Sequence, residues 1–397
     1  MKILVYAHRL ELGGTQVNAI ELAAALRDLH SHDVTLFATP GPMVNLVEEK
    51  GLRFLPAPEA WLHPSPVRMR ALRGVVRSER PDLIHVWDWW QCLDAFYSVH
   101  LPMRIPMVVT DMMMDLTRIL PKRLPTTFGT PELLDQARAG GRRRLELLLP
   151  PVDVHLNAPG AVDPGLFRQK YGLTDSEITI VTVSRLANFM KAESLLRTVD
   201  AIRSLARILP VRFVIVGDGI VRAELERRAR DINAEFGRPV IVLTGALLDP
   251  RQAYAAADII IGMGGSALRG MAFGKPVIIV GEQGFSAPFT SDTAEFFYYK
   301  GMYGRGDGTT SNAQLTENIR ELVEDLDKRL AVGEFSRQFV IRHFSLENVS
   351  DKLEKFCRLS VAEMPRFHVA AADGLRTAAV YVRERRFLTH SRDSVSK

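Results

Sequence analysis

Short runs of apolar and β-branched residues recur along the chain. Most are followed by a stretch whose apolar positions fall three or four apart. The first runs span 2–8, 33–38, 51–55, 83–87 and 107–110, the last leading into Asp111. Each reads as a strand covered on both faces. Between them, 17–29 places Ile20, Leu22, Ala23 and Leu26 on one helical face, 46–50 is a shorter helix, and 67–78 is amphipathic and basic. The stretch 152–156 reads as the last strand of this half. A turn-rich link, Asn157-Ala158-Pro159-Gly160, leads to a second series with strands at 178–183, 211–216 and 240–243 and helices at 194–205 and 221–236. The stretch from Ala256 to Gly281 then reads as strand (258–261), glycine turn (Gly262, Gly264, Gly265), helix (266–273) and strand (277–280). Ser266 occupies the expected N-cap position and Gly274 the stop. Beyond Phe344 the pattern is helical, over 346–361 and 374–387.

Alternating strands and helices imply parallel sheets wrapped by helices. The expected class is α/β, with two Rossmann-like halves and C-terminal helices. The expected boundaries are 1–165, 166–345 and 346–397, the last segment packing back on the first half. A length of 397 residues suits two cores. The 47% hydrophobic and 24% charged content is that of an ordinary globular protein, and a net charge of +5 does not point to nucleic acid. Arginines do cluster, at Arg68, Arg70, Arg73, Arg77 and Arg80 and at Arg138, Arg142, Arg143 and Arg144. They read either as solvated helix faces or as attraction for an anionic lipid or substrate. Cys92 and Cys357 have no metal-ligand spacing, which suggests free buried thiols in a reducing compartment. The chain opens on a strand instead of a cleavable leader, and no apolar run reaches membrane-spanning length. The expected place is the cytoplasm, with peripheral contact at the inner face of a membrane.

The chemistry suggested by these residues is anion binding. A glycine-rich turn feeding a helix offers free backbone N–H groups and the positive end of the helix dipole. Any α/β protein contains such turns, so the neighbouring cations matter. Arg185 follows the strand 178–183 and Lys191 lies six residues on. Two cations at one strand end beside a helix N-terminus would neutralise a diphosphate. Gly13-Gly14 permits close approach of backbone to a ligand. Ligands in such folds sit at the carboxyl ends of strands, which singles out Gly13 to Thr15, Asp88 to Trp90, and Asp111. Trp87, Trp89 and Trp90 beside Asp88 suit either a sugar-stacking wall or packing. His85 reads as a core or crevice residue and Met112-Met113-Met114 as packing. No nucleophile elbow, phosphate loop or zinc-protease motif is present.

In order and spacing, several short motifs resemble the GT-B fold glycosyltransferases, specifically the retaining group called family 4. They are Gly13-Gly14-Thr15-Gln16, Pro81 to Val86, Ser184-Arg185-Leu186 with Lys191, Val216-Gly217-Asp218-Gly219, Thr244-Gly245, Ala256-Ala257-Asp258, and Gly270 to Val277. The resemblance covers roughly residues 1–360. It implies two domains facing a cleft, the C-terminal one holding a nucleotide sugar, UDP- or GDP-linked, and the N-terminal one an acceptor hydroxyl. Arg185 and Lys191 would contact the donor diphosphate. Gly264, Gly265 and the amides of Ser266, Ala267 and Leu268 would support them. Thr244, Gly245 and Leu247 would border the base and Gly217 would lie in the donor site. The loop of Gly13, Gly14 and Thr15 would reach the phosphates. Such enzymes transfer with retention and generally need neither metal nor cofactor. The leaving diphosphate helps to deprotonate the acceptor.

Two departures stand out. Family members carry two glutamates eight residues apart, and Ile261 and Arg269 occupy those places. A guanidinium has no acceptor atom for ribose hydroxyls. The family's histidine after the strand 107–110 is Asp111 here, which can hydrogen-bond a sugar hydroxyl. Three readings remain open. One is an active hexosyltransferase in which Arg269 joins the phosphate-binding charge, acting in polysaccharide or glycolipid assembly. Another is an inactive partner or regulator of a transferase. The third is a different sugar-nucleotide reaction such as epimerisation. Asp88, Trp89 and Trp90 are the acceptor candidates. The acceptor is a sugar, a lipid-linked carrier or a small molecule, and the helix 67–78 suits docking on anionic membrane. The stretch 380–386 is expected to pack along the N-terminal half or to mediate association.

Overall fold

A computed structural model describes residues 1–188, 190–309 and 311–392, with side chains as far as Glu384. The chain divides into two compact units. One is Met1–Pro151 together with the segment from Leu346 onward, and the other is Val152–Ser345.

The first unit runs β1 (Lys2–Tyr6), α1 (Gly14–Asp28), β2 (Asp33–Ala38), α2 (Val44–Glu49), β3 (Arg53–Pro56), α3 (Pro66–Glu79) and β4 (Leu83–Trp87). It continues with α4 (Asp88–Ala95), a π-helical turn (Phe96–His100), α5 (Leu101–Met103), β5 (Met107–Asp111), β6 (Thr126–Phe128), α6 (Pro131–Ala139) and β7 (Leu145–Leu147). All seven strands are parallel, in the order β3-β2-β1-β4-β5-β6-β7. Every residue of β4 and β5 is buried, which is why these strands read as unbroken apolar runs. One face of the sheet, with Leu4, Ile84, Val86 and Val109, packs on Leu72 and Val76 of α3 and Cys92 and Ala95 of α4.

The second unit runs α7 (Gly165–Tyr171), β8 (Ile178–Val183), α8 (Ala192–Leu205), β9 (Val211–Val216), α9 (Arg222–Phe236), β10 (Ile241–Gly245) and α10 (Arg251–Ala256). Then come β11 (Ile259–Gly262), α11 (Gly265–Ala272), β12 (Val277–Val280), β13 (Ser286–Pro288), α12 (Ala294–Lys300), α13 (Ala313–Glu324) and α14 (Leu326–Phe344). The sheet order is β10-β9-β8-β11-β12-β13, parallel except for the antiparallel edge strand β13. In this sheet β8 and β11 are adjacent, so the loop after β8 and the glycine turn after β11 leave it side by side.

Two helices end the chain, α15 (Leu346–Ala362) and α16 (Phe367–Arg392), and both belong to the first unit. They are held by polar contacts. His30 Nε2 lies 3.2 Å from Ser350 Oγ, Tyr97 donates to the Gly374 carbonyl at 2.8 Å, and Asp373 accepts from the amides of Lys122 and Arg123. Of the stretch 380–386, Tyr381 donates to the His63 carbonyl, while the side chains of residues 385 and 386 lie outside the described residues.

Several expectations are corrected. The stretch 152–156 is not a strand, because Asp153 Oδ1 accepts from the amides of His155 and Leu156 and curls the chain into a turn. Strands β6 and β7 end the first sheet instead, each too short for a periodic signal. Val152 bridges Ser345, and a Cβ at Gly274 would lie 3.3 Å from Pro159 Cγ, so 152–165 belongs with the second unit. Ser266 is not the N-cap of α11. Gly264, at φ +56°, starts the helix earlier, and Ser266 Oγ donates back to the Met263 carbonyl at 3.0 Å. The arginine clusters are not uniformly solvated. Arg68 is buried and donates to Thr39 Oγ1 and the Pro58 carbonyl, and Arg142 is buried against the carbonyls of Leu120 and Pro121. Met113 and Met114 are exposed instead of packed. Cys92 and Cys357 are free and buried, as expected.

Candidate functional site

In the second unit, the loop after β8 carries Arg185, which is exposed. Its path is set by the turn after β9. The Leu186 amide donates to the Asp218 carbonyl at 2.9 Å and the Val221 amide to the Leu186 carbonyl at 3.0 Å. Gly217 has φ +147°, and a Cβ there would come within 1.8 Å of the Ser184 carbonyl oxygen. At Gly219 a Cβ would meet the Leu186 oxygen at 2.5 Å. The two glycines thus let one turn press on the backbone on both sides of Arg185.

Lys191 stands at the N-cap position of α8 and lines a cavity of about 10 Å³ together with Ser184, Ile261, Gly262, Met263 and Ser266. The cavity has room for about one water-sized group. It joins the loop of Arg185, the ammonium of Lys191 and the first turn of α11 in one place. Burial, and then the charge of Arg185, bring the Lys191 ammonium down to about 8. Among the described residues no carboxylate pairs with it. Glu193, two residues on, is committed to the amides of Gln283 (2.9 Å) and Gly284 (2.6 Å). The first N–H groups of α11, from Gly265 to Ala267, have no acceptor within the helix. Positive charge without a counter-ion, set against a helix N-terminus, is a favourable environment for an anion. Arg269 lies in the last turn of the same helix, its Nη1 3.5 Å from the Gly265 carbonyl. Thr244 and Gly245 end β10, and partly buried Leu247 follows in the loop.

The carboxyl edge of the first sheet has the opposite character. Gly13, in extended backbone at φ −173°, caps α1, whose first turn holds Gly14 and Thr15. Asp88, Trp89 and Trp90 form the first turn of α4. Asp88 has φ +57°, an unusual conformation for a residue with a Cβ, and is held there by two contacts. His8 Nε2 lies 2.6 Å from its Oδ2, and the Met112 amide donates to its Oδ1 at 3.0 Å. Asp111, at the end of β5, is buried and accepts from the Met113 amide at 3.1 Å. Burial, and then the charge of Asp88, push its carboxyl up to about 6. Trp87 is fully buried packing, whereas Trp90 is partly exposed and stacks on the His63 ring at 4.4 Å. His85 is a core residue, Nε2 2.7 Å from Thr110 Oγ1, and burial brings it down to about 3. Among the described residues no group of three or more His, Cys, Asp or Glu side chains is placed to hold a metal ion.

Residues 12–125 match Glycosyltransferase Family 4, and 177–299 match Glycosyl transferases group 1. The chain belongs to glycosyltransferase family 4. Its fold is of the GT-B kind. A glycosyltransferase from Rickettsia africae superposes with a TM-score of 0.71 at 14% identity, covering 91% of this chain and 99% of that one. Anabaena HepE in complex with UDP-glucose gives 0.69 at 16% identity, covering 89% and 98%. WaaG, a glycosyltransferase involved in lipopolysaccharide biosynthesis, gives 0.63 at 14% identity, covering 89% and 99%. No curated protein matches by sequence.

For this family 4 chain, sequence reasoning overlooked two residues. His8 ends the first strand run, but its pairing with Asp88 spans eighty positions and has no local signal. Glu193 reads as an ordinary acid in a helix first turn, and only the fold brings it to the loop at 283–284.

Proposed function

We propose that the protein is a retaining, metal-independent hexosyltransferase that moves sugar from a UDP- or GDP-linked donor to an acceptor hydroxyl in polysaccharide or glycolipid assembly. The observation that carries this reading is the uncompensated Lys191 ammonium in one cavity with the Arg185 loop and the α11 N-terminus. A diphosphate supplies the missing negative charge, and the cations stabilise it as leaving group. Ile261 lines the same cavity, so no carboxylate neutralises Lys191 from that side. Arg269 adds charge on the phosphate side in place of a ribose contact. Thr244, Gly245 and Leu247 border the base. The second unit is the donor unit. The first unit takes the acceptor, with Asp88, Trp89, Trp90 and Asp111 toward its hydroxyls, and works at the inner face of a membrane. HepE bound to UDP-glucose supports the donor class.

A second reading, an inactive GT-B partner of another transferase, is favoured by one feature: Ile261 and Arg269 stand where family members have their paired glutamates. Calorimetric titration with UDP, GDP and their sugar conjugates separates the two. Binding of one nucleotide, lost in Arg185→Ala and weakened in Arg269→Glu, supports the transferase. A gain of affinity in Arg269→Glu would show a surrendered ribose contact and favour the partner reading. Absence of binding to a folded protein would overturn the transferase.

A further inference from the structure

In the first sheet the strand order reverses at β1, with β2 and β3 on one side of it and β4 and β5 on the other. Ligands of such sheets collect outside the carboxyl ends of the strands that flank the reversal. The register says which side chains stand there. Tyr6 is paired with Val86, and Trp87 with Thr110. Continued past the strand ends, the same register sets His8 beside Asp88 and Asp88 beside Asp111. The three residues form one row across β1, β4 and β5.

His8 is held in that row by the backbone on either side of it. The Ala7 amide donates to the Phe37 carbonyl at 3.1 Å, and the Leu10 amide to the Thr39 carbonyl at 3.0 Å. The ring's Nε2 meets Asp88 Oδ2 at 2.6 Å. A carboxylate accepts and does not donate, so Nε2 carries the ring hydrogen and Nδ1 keeps a lone pair. The other oxygen of Asp88 is occupied by the Met112 amide at 3.0 Å. Asp88, kept at φ +57°, thereby fixes the tautomer of the histidine. His8 Nδ1 is buried and has no hydrogen-bond partner among the described residues, and the same is true of Asp111 Oδ2. Buried acceptors in folded proteins are nearly always paired. Two of them in one row make a place for a ligand that brings donors, and sugar hydroxyls are such donors.

We propose that His8 is the catalytic base of the transfer, taking the acceptor's proton at Nδ1 while Asp88 positions its ring. Asp111 Oδ2 accepts from a neighbouring hydroxyl, so the acceptor is a sugar offering two hydroxyls. This rests on the reading of the first unit as the acceptor unit. In the step, the acceptor O–H bond breaks and its proton goes to Nδ1. The oxygen's electron pair forms the bond to the anomeric carbon, and the bond from that carbon to the diphosphate breaks, its electron pair leaving with the diphosphate. Asp88 stabilises the imidazolium that results.

The test uses the full chain, UDP- and GDP-hexoses as donors, and the methyl glycosides of glucose, galactose and mannose as acceptor probes. His8→Gln separates a base from a merely structural histidine. Its amide N–H still donates to Asp88 and its carbonyl still accepts from a hydroxyl, but it takes no proton. Nucleotide release should fall about 100- to 10,000-fold in this variant, with nucleotide affinity and melting temperature as in the parent. Asp88→Asn should lower the rate about tenfold or more. Asp111→Ala should raise the KM for the probe sugars about fivefold or more and leave nucleotide affinity unchanged. With isotope-labelled histidine, long-range proton–nitrogen spectra should show His8 as the Nε2–H tautomer. Its Nδ1 signal should shift when probe sugars are added, and the single tautomer should be lost in Asp88→Asn. An Nδ1–H tautomer, or a His8→Gln rate within about threefold of the parent, would overturn the base. An unchanged KM in Asp111→Ala would overturn the second hydroxyl contact. A chain that binds nucleotide but transfers to none of the probes sinks the base alone, whereas one that binds no nucleotide sinks the transferase reading on which the base rests.

Discussion

The two sheets share a parallel, helix-wrapped architecture, yet their carboxyl edges carry opposite charge. The first edge presents Asp88 and Asp111 with His8, and the second presents Arg185 and Lys191. Their glycines differ as well. A Cβ at Gly14 would meet no atom within 4 Å, while one at Gly217 would strike the Ser184 carbonyl. One architecture thus supports two chemistries. Acids and partly exposed aromatics suit sugar hydroxyls, and cations against a helix N-terminus suit phosphate.

The largest effect that sharpens this contrast should come from Gly217→Ala. Its Cβ would stand 1.8 Å from a backbone oxygen at φ +147°, so a loss on the order of 3 kcal/mol or more is expected in urea unfolding. A loss below about 1 kcal/mol would mean that the Arg185 loop is not buttressed as described. Next in size, Arg185→Ala and Lys191→Met should each cost about 1.5–3 kcal/mol of nucleotide affinity, a weakening of about 10- to 150-fold by calorimetry. Asp88→Asn and Asp111→Asn should leave that affinity unchanged. If the acidic-edge variants weakened nucleotide binding equally, the division of labour would be broken.

The pH profiles of stability should run in opposite senses at the two edges. Asp111 titrates near 6 in the fold against 3.8 in its ordinary state. Between these values the folded protein holds more protons than the unfolded chain, and stability falls as pH rises through that window. Lys191 titrates near 8 against 10.5. There the folded protein holds fewer protons, and stability rises as pH rises through that window. Asp111→Asn should therefore stabilise at pH 7 by about 1–3 kcal/mol, with the gain fading in acid. Lys191→Met should gain a similar amount at pH 7, with the gain fading in alkali. Thermal melts across pH for the pair check both slopes, and a parallel response would refute the assigned charges. The smallest effect is expected from Gly14→Ala, within about 0.5–1 kcal/mol and toward greater stability, since the residue is helical with open space beside it.

Much of the architecture was legible because buried parallel strands must be apolar throughout. The stretch 33–38 was read with the bounds of β2, and Lys191 and the glycine turn after β11, read together as a cation beside a glycine-rich helix start, line one cavity. What stayed hidden is equally specific. Strands β6 and β7, three residues each, are too short to show a period and form only because β5 offers an open edge. The turn at Asp153 reads as strand unless its side chain is known to accept two amides. Ser266 looks like a cap until Gly264, at φ +56°, starts the helix before it.

Sequence by itself determined the class of fold, the family, and the cations proposed to meet an anion, because these depend on local periodicity and on charge types that no packing can change. Tertiary structure decided which charges remain uncompensated. Glu193 and Glu79 lie close in sequence to cations, yet the fold spends one on the amides of Gln283 and Gly284 and the other on Lys2 and Arg53. Lys191 and the outer arginines of α3 are left without a carboxylate among the described residues. Charge compensation is a matter of a few ångströms across distant segments, and no spacing along the chain encodes it.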